Sequence, residues 1–268
     1  MITKTDQKNC SLIVVGSGIK FMSHLTLEAK VHIENAEKVL YLVNEPAMQE
    51  WIQRTNPNTE SLDPLYTQHP LRLHNYRKIT EYIFENLKQK QHVCVVLYGH
   101  PTVFAQPALD AVILAKKSGY YAKVLPGISA VDCLFADLLI DFGVRGCQLI
   151  EATDLLICKR KPDPTNHLIL WQVGIIGMLG HAISHDNKKG IQLLHDYLIN
   201  FYNPNHQIVL YEAAQYPTFE PRIDKFQLQD LPNAHCSRIS TLYIPPERKN
   251  DFDKKMLEAL DIDVSNLQ

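Results

Sequence analysis

VVLYGHPTVFAQPA, residues 95–108, decides the fold. It begins as the end of a buried strand, breaks at Tyr98, Gly99, His100 and Pro101, and resumes with helical character after Gln106. A continuous apolar run, as opposed to an alternating one, marks a strand covered on both faces, the condition of a parallel sheet. Glycine and proline then end it sharply. The break leaves a phenol, an imidazole and a bare backbone hinge at the mouth of the sheet.

The same punctuation recurs on either side. SLIVVG (11–16) and KVLYLV (38–43) read as buried strands, HVCVVLY (92–98) as the third, and YAKVLP (121–126) as a fourth. Helical patterns lie between them at 22–36, 46–54, 71–89 and 107–118, the longest with Tyr76, Ile79, Ile83 and Leu87 three and four apart. NPNTESLDP (56–64) reads as a turn-rich loop. Strand and helix alternating at this spacing predict parallel βαβ units. After PGISA (126–130) the pattern changes: a helix at 129–139, strands at 146–152 and 167–173, a helix at 186–201, and strands at 206–213, 222–228 and 236–245. The expected fold class is therefore α/β, with two domains, 1–126 and 127–246, each a mainly parallel or mixed sheet flanked by helices. In the tail, 247–268, Phe252, Met256, Leu257 and Leu260 suggest a short helix that could face the body or a partner subunit.

Composition narrows the function. The 268 residues are 46% hydrophobic and carry 27 basic against 29 acidic side chains, a net charge of −2 with no basic run. That argues against nucleic-acid binding through phosphate contacts. No apolar stretch approaches a membrane span, and MITKTDQKNC lacks the apolar core of a signal peptide. The six cysteines (Cys10, Cys94, Cys133, Cys147, Cys158, Cys236) form no CxxC pair and read as buried free thiols of a reducing, cytoplasmic compartment. No metal site is expected: His181 and His185 are four apart, but residue 182 is Ala where a metalloprotease helix needs Glu. GISA (127–130) is no nucleophile elbow either, because Val131 stands where glycine should follow.

Three segments end predicted strands with a glycine: GSG (16–18), YGHPTVF (98–104) and LPGISA (125–130). In open α/β sheets ligands settle beyond the carboxyl ends of strands, where exposed backbone amides bind carboxylates and polar ring edges. The spacing is a poor match to the nicotinamide dinucleotide fingerprint, since its third glycine is replaced by Phe21.

The chain resembles the tetrapyrrole methylases, two-domain S-adenosylmethionine-dependent enzymes, through GSG after the first strand, LTLEAKVHIENAEKVLYLV, YGHPTVF and LPGISAVDCLFADLLID. More narrowly it resembles the borosin peptide-backbone N-methyltransferases of that superfamily. The narrower likeness lies in NPNTESLDPLY (56–66), EATDLL (151–156), HLILWQVG (167–174) and LYEA (210–213), and the whole runs from about residue 11 to 246. The resemblance implies a pocket for S-adenosylmethionine (S-adenosylhomocysteine after transfer) lined by Tyr98, His100, Val103 and Phe104. Ser129 and Ala130, Gln172, Tyr211, Glu212 and Ala213, and Ser240, Thr241 and Leu242 would follow.

Methylating an amide nitrogen is demanding, because its lone pair is delocalised into the carbonyl. The reaction needs a base, a partner for the developing oxyanion and in-line placement against the methyl donor. A phenol is a weak base until a nearby cation lowers its pKa. Arg72 and Tyr76, four apart on a predicted helix, share a face. Spacing alone favours a plain core tyrosine on the Ile79–Ile83 stripe; the resemblance reverses that and implies a catalytic group of Tyr66, Arg72, Tyr76 and Tyr98, with Tyr76 as base, Arg72 tuning it, and Tyr66 and Tyr98 binding the amide oxygen. It further implies a homodimer, interlocked in the family, and, because Gln268 follows soon after the last strand, a precursor peptide supplied in trans, with a heterotetramer when two precursors bind. The alternatives are a tetrapyrrole C-methyltransferase and a non-catalytic subunit that binds the donor and holds a peptide.

Overall fold

The computed structural model describes residues 10–89, 92–180 and 187–267. Its first sheet is wholly parallel. It comprises β1 (Ser11–Gly16), β2 (Lys38–Leu42), β3 (Thr59–Ser61), β4 (His92–Leu97) and β5 (Tyr121–Val124), in the order β3-β2-β4-β1-β5. The stretch that opened the sequence reading supplies the central strand: Cys94 of β4 is in register with Ile13 of β1 and Val39 of β2.

Side-chain alternation sends the two halves of each strand to opposite faces. Leu12, Val14, Leu40, Val93 and Val95 pack under α4 (Arg72–Gln89) and α5 (Gln106–Lys117), against Ile79, Ile83, Leu87, Ala108 and Ala111. Ile13, Val15, Val39, Cys94 and Val96 pack under α1 (Leu27–Asn35) and α2 (Pro46–Thr55), against Ala29, Ile33, Met48 and Ile52. Both faces being covered explains the unbroken apolar runs, each buried Leu or Ile contributing about 1.5–3 kcal/mol.

The helix read at 22–36 begins only at Leu27, because the Thr26 hydroxyl caps it, accepting from the Ala29 N–H at 3.1 Å. The loop read at 56–64 is more ordered than its turn residues suggest. Thr59–Ser61 add to the sheet edge beside Val39–Tyr41, and α3 (Asp63–Tyr66) follows at once. Buried Asn56 fixes that excursion by donating to the carbonyls of Ile33 and Ala36.

The second sheet has the order β6-β7-β10-β8-β9, with β6 (Cys147–Glu151), β7 (His167–Trp171), β8 (Gln207–Glu212), β9 (Arg222–Gln227) and β10 (Thr241–Ile244). It is mixed: β6 runs parallel to β7, and β10 antiparallel to it. Leu168, Leu170, Ile208, Leu210 and Leu242 meet α8 (Lys188–Leu198) through Ile191, Leu194 and Leu198. Preceding α8 is α7 (Ala152–Ile157), where the sequence reading carried no helix; Glu151 starts it by accepting from the Asp154 N–H. The last strand is four residues, not the ten expected over 236–245, because Ser237 and Ser240 bond to each other in a turn before it.

The chain divides into two compact units. One contains Met1–Ile140, Gly177–His185 and Tyr211–Ile223, and the other Asp141–Ile176, Asp186–Leu210 and Asp224–Gln268. The cut placed at 126/127 by sequence falls inside the first unit, which extends through α6 (Ala130–Leu138). The fold class is the expected two-domain α/β architecture. The tail carries a short helix, α9 (Lys254–Ala259), with Phe252, Met256 and Leu260 exposed. All six cysteines are free thiols, but only Cys10, Cys94 and Cys133 are buried; Cys147 and Cys236 are half-buried and Cys158 is exposed. The His181–His185 pair lies outside the described residues, among which no helix is long and apolar enough to cross a membrane.

Candidate functional site

The three glycine-ended segments converge within the first unit. Gly18 and Gly99 form an antiparallel bridge, and the Ser17 N–H donates to the Leu97 carbonyl at 2.7 Å. Contact there is too close for side chains: a Cβ on Gly16 would stand 2.1 Å from the Gly99 carbonyl oxygen. Gly99 itself has φ +71°, a conformation that glycine adopts without steric cost. Gly127 joins them, since a Cβ there would lie 3.5 Å from the Gly16 Cα. The strand ends of β1, β4 and β5 thus make one ledge of backbone groups.

His100 and its neighbours continue the ledge. The His100 ring nitrogen Nδ1 accepts from the Thr102 N–H at 3.2 Å, and the Val103 N–H donates to the His100 carbonyl at 3.0 Å. Phe104 is half exposed and held at φ +53°, strained for a bulky residue. Ser129 has a structural duty: it caps α6 in a reciprocal box with Asp132, and Ala130 is the first residue of that helix. Tyr98 is half-buried, with its hydroxyl hydrogen-bonded to the Gln215 side chain. Burial raises its pKa; the Gln215 bond opposes this, while the Cys133 thiol and Glu45 carboxylate add to it. At neutral pH Tyr98 is therefore a hydrogen-bond donor, not a base.

The other expected catalytic residues sit on α3 and α4. Tyr66 ends α3, Arg72 begins α4, and Tyr76 follows one turn later. The structure brings Tyr66 and Tyr76 together, rings stacked at 5.9 Å and 24°. Thr80 braces the backbone at Tyr76 by donating to its carbonyl at 3.0 Å and to that of Pro107 at 2.9 Å. Arg72 is placed by a strap, Gly177–Gly180: its guanidinium donates to the Met178 carbonyl, its N–H to the Leu179 carbonyl at 3.2 Å, and Leu71 bridges Gly180. The strap lies flush, because a Cβ on Gly180 would meet the Pro70 carbonyl oxygen at 2.3 Å.

The profile of the Tetrapyrrole (Corrin/Porphyrin) Methylases matches residues 11–223. The chain belongs to the tetrapyrrole methylase family. Within it, the chain belongs with the borosin-type methyltransferases. It is 38% identical over 97% of its length to the methyltransferase/ribosomally synthesized cyclic peptide dendrothelin A precursor of Dendrothele bispora. It is 36% identical over 98% to the corresponding omphalotin A precursor of Omphalotus olearius, and 36% over 98% to a type I borosin cyclic peptide precursor of Coprinopsis marcescibilis. It spans 64%, 64% and 69% of those proteins. Solved structures confirm the fold. Uroporphyrin-III-C-methyltransferase from Thermus thermophilus superposes with TM-score 0.63 at 19% identity, covering 89% of this chain and 93% of that one. Diphthine synthase does so with TM-score 0.65 at 12% identity, covering 90% and 91%.

The remaining residues assigned through the tetrapyrrole methylase likeness divide between the units. Tyr211, Glu212 and Ala213 belong to the first. Tyr211 is fully buried and donates to Asp137 at 2.6 Å; burial and that carboxylate hold its pKa above the phenol's ordinary value. Glu212 accepts from Arg222 at 3.0 Å. Gln172, Ser240, Thr241 and Leu242 belong to the second. Gln172 adopts φ +58°, a strained state for a non-glycine residue just after β7. Leu242 points into the core, so its backbone is what it can offer a ligand, and the Ser240 hydroxyl accepts from the Ser237 N–H.

Sequence reasoning passed over several groups beside these tyrosines. Buried Glu45 caps α2 through the N–H groups of Ala47 and Met48 and accepts from the Tyr216 hydroxyl. An acidic residue before Pro46 was a readable cap signal. Gln215 carried no such signal, for its partner Tyr98 is far away in the sequence. Half-buried His24 lies 4.0 Å from the Cys133 thiol, and burial pushes that thiol up to about 11, so it is inert as a nucleophile.

Proposed function

We propose that this protein is an S-adenosylmethionine-dependent methyltransferase acting on backbone amide nitrogens of a precursor peptide offered in trans. One observation carries the reading: the stacked Tyr66–Tyr76 pair, with Arg72 one turn earlier on the same helix. A phenol pair with an arginine one turn away on the same helix suits an amide, whose N–H must be deprotonated, better than an electron-rich ring carbon. The relatives support it, being named at once methyltransferases and ribosomally synthesized cyclic peptide precursors.

In this mechanism Tyr76 takes the amide proton and Arg72 stabilises the phenolate that results. For this the guanidinium, bonded to the Met178 carbonyl in this structure, must share or exchange that bond with the Tyr76 oxygen. Tyr98, kept protonated by burial, donates to the amide oxygen as charge develops there, and Tyr66 holds the peptide plane. When bound, the donor supplies an electrophilic sulfonium methyl. The residues proposed to hold it are Tyr98, His100, Val103 and Phe104, with Ser129 and Ala130. Tyr211–Ala213 complete the set within the first unit. The glycines let the ends of β1, β4 and β5 meet backbone against backbone, and the crevice beyond such carboxyl ends is where ligands of open α/β sheets settle. A homodimer and a cytoplasmic location complete the proposal.

The test is co-expression with a candidate precursor and fragment-ion mass spectrometry. Mass gains of one CH2 on backbone nitrogens are expected. Donor binding with no modified peptide would favour a peptide-holding subunit, and methylation of a tetrapyrrole carbon would favour the other enzyme reading.

A further inference from the structure

We infer that Asn75 is the positioning residue that holds Tyr66 against Tyr76. This rests on the reading that the two tyrosines serve methyl transfer. Asn75 lies in the first turn of α4 and is fully buried. Its Nδ2 donates to the carbonyls of Tyr66 and His69, both at 2.8 Å, and its Oδ1 accepts from the His69 N–H at 2.8 Å. Both amide hydrogens and one acceptor lone pair are thus used.

The chemistry makes this arrangement specific. Asparagine is a poor helix former, and burying an unbonded carboxamide is costly, so the residue is tolerated here because all its bonds go to one loop. That loop, residues 66–69, joins the end of α3 to the approach of α4. Fixing the Tyr66 carbonyl fixes the direction in which its side chain leaves the backbone, and the ring then lies 5.9 Å from that of Tyr76. Other contacts of the loop are the Tyr66 N–H to the Leu62 carbonyl at 3.1 Å, the Thr67 hydroxyl to the Asp63 carbonyl at 3.4 Å, the His69–His74 ring pair at 4.3 Å and the exposed Lys78–Gln68 bond. Asn75 ties the Tyr66 carbonyl to α4 from a buried position, where a hydrogen bond is stronger than at the surface. Asn75 bonds the backbone and not the phenols, so it acts by placement.

The test compares Asn75→Ala, Tyr66→Phe and the double variant in peptide methylation, calorimetric affinity for S-adenosylhomocysteine, and crystal structures. Asn75→Ala is expected to lose roughly 100-fold in kcat, the scale of a catalytic group displaced by about 1 Å, with affinity for the cofactor product unchanged. The double variant should be no slower than Tyr66→Phe, because two residues acting through one geometry are not additive. Additive losses, or a folded Asn75→Ala with wild-type turnover, would overturn the inference. Should the alanine variant fail to fold, Asn75→Asp keeps the acceptor for the His69 N–H and removes both donors, with the same expectations. If the wild type methylates no peptide, the functional reading fails. The variant's crystal structure still decides the placement: rings parted support it, rings stacked as before refute it.

Discussion

The glycine ledge and the tyrosine pair solve different problems with different materials. Gly16, Gly99 and Gly127 build a surface by removing side chains, and the backbone itself sets its shape. Tyr66, Arg72 and Tyr76 build one by presenting side chains, and each needs a separate support: Asn75 for the loop bearing Tyr66, Thr80 for Tyr76, and the Met178 carbonyl for Arg72. Backbone packed on backbone tolerates change in the side chains around it but not at its glycines. A reactive group made of side chains can lose its chemistry while the fold persists.

The sharpest way to break the comparison is Tyr76→Phe, which removes one hydroxyl and no apolar surface. Methyl transfer should fall by roughly 10²–10⁴-fold, the range of a lost general base, with donor binding intact by calorimetry. A variant at full rate would remove Tyr76 from the mechanism. Arg72→Lys keeps the charge but loses the planar fork, and a loss on the order of 100-fold in kcat is expected, again without weaker donor binding.

Substitution on the ledge should behave in the opposite way. Gly16→Ala puts a methyl 2.1 Å from the Gly99 oxygen, so stability should fall by about 1–3 kcal/mol in denaturant unfolding, with donor affinity falling alongside it. Loss of turnover alone, with stability and affinity untouched, would erase the contrast between the two regions.

The smallest effect concerns acid. Burial raises the Glu45 carboxyl, but the hydrogen bonds from Tyr216, Ala47 and Met48 outweigh it and leave its pKa below the ordinary 4.5. A depressed carboxyl contributes stability that is present above its unfolded pKa and lost as pH falls through the folded one. The melting temperature of the wild type should therefore drop more steeply below about pH 4.5 than that of Glu45→Gln. Parallel curves would show that Glu45 does not contribute to the acid response.

The first sheet was legible because its strands are buried on both faces. VVLY and VLYLV announce themselves as unbroken apolar runs, and the glycines at their ends mark where the backbone must come close. The second sheet was less legible. Ser237 and Ser240 turn a stretch of β-favouring residues aside, and a single acidic cap at Glu151 starts a helix directly after the predicted strand, where the sequence reading carries no helical pattern. In the candidate site, Arg72 and Tyr76 were visible as a helical spacing, and Tyr66 and Tyr98 through resemblance. Asn75 was not, because its worth lies in bonds to Tyr66 and His69 that no local pattern encodes. The strap at Met178–Gly180 was invisible for the same reason, its partners lying at Pro70–Arg72.

The central claim is that the tyrosine pair serves an amide nitrogen. The most direct measurement is fragment-ion mapping of a precursor peptide incubated with the purified protein and isotopically methyl-labelled S-adenosylmethionine. The account predicts label on backbone nitrogens with the wild type and none with Tyr76→Phe. Label on a side chain, or on backbone nitrogens to the same extent in both proteins, would contradict it.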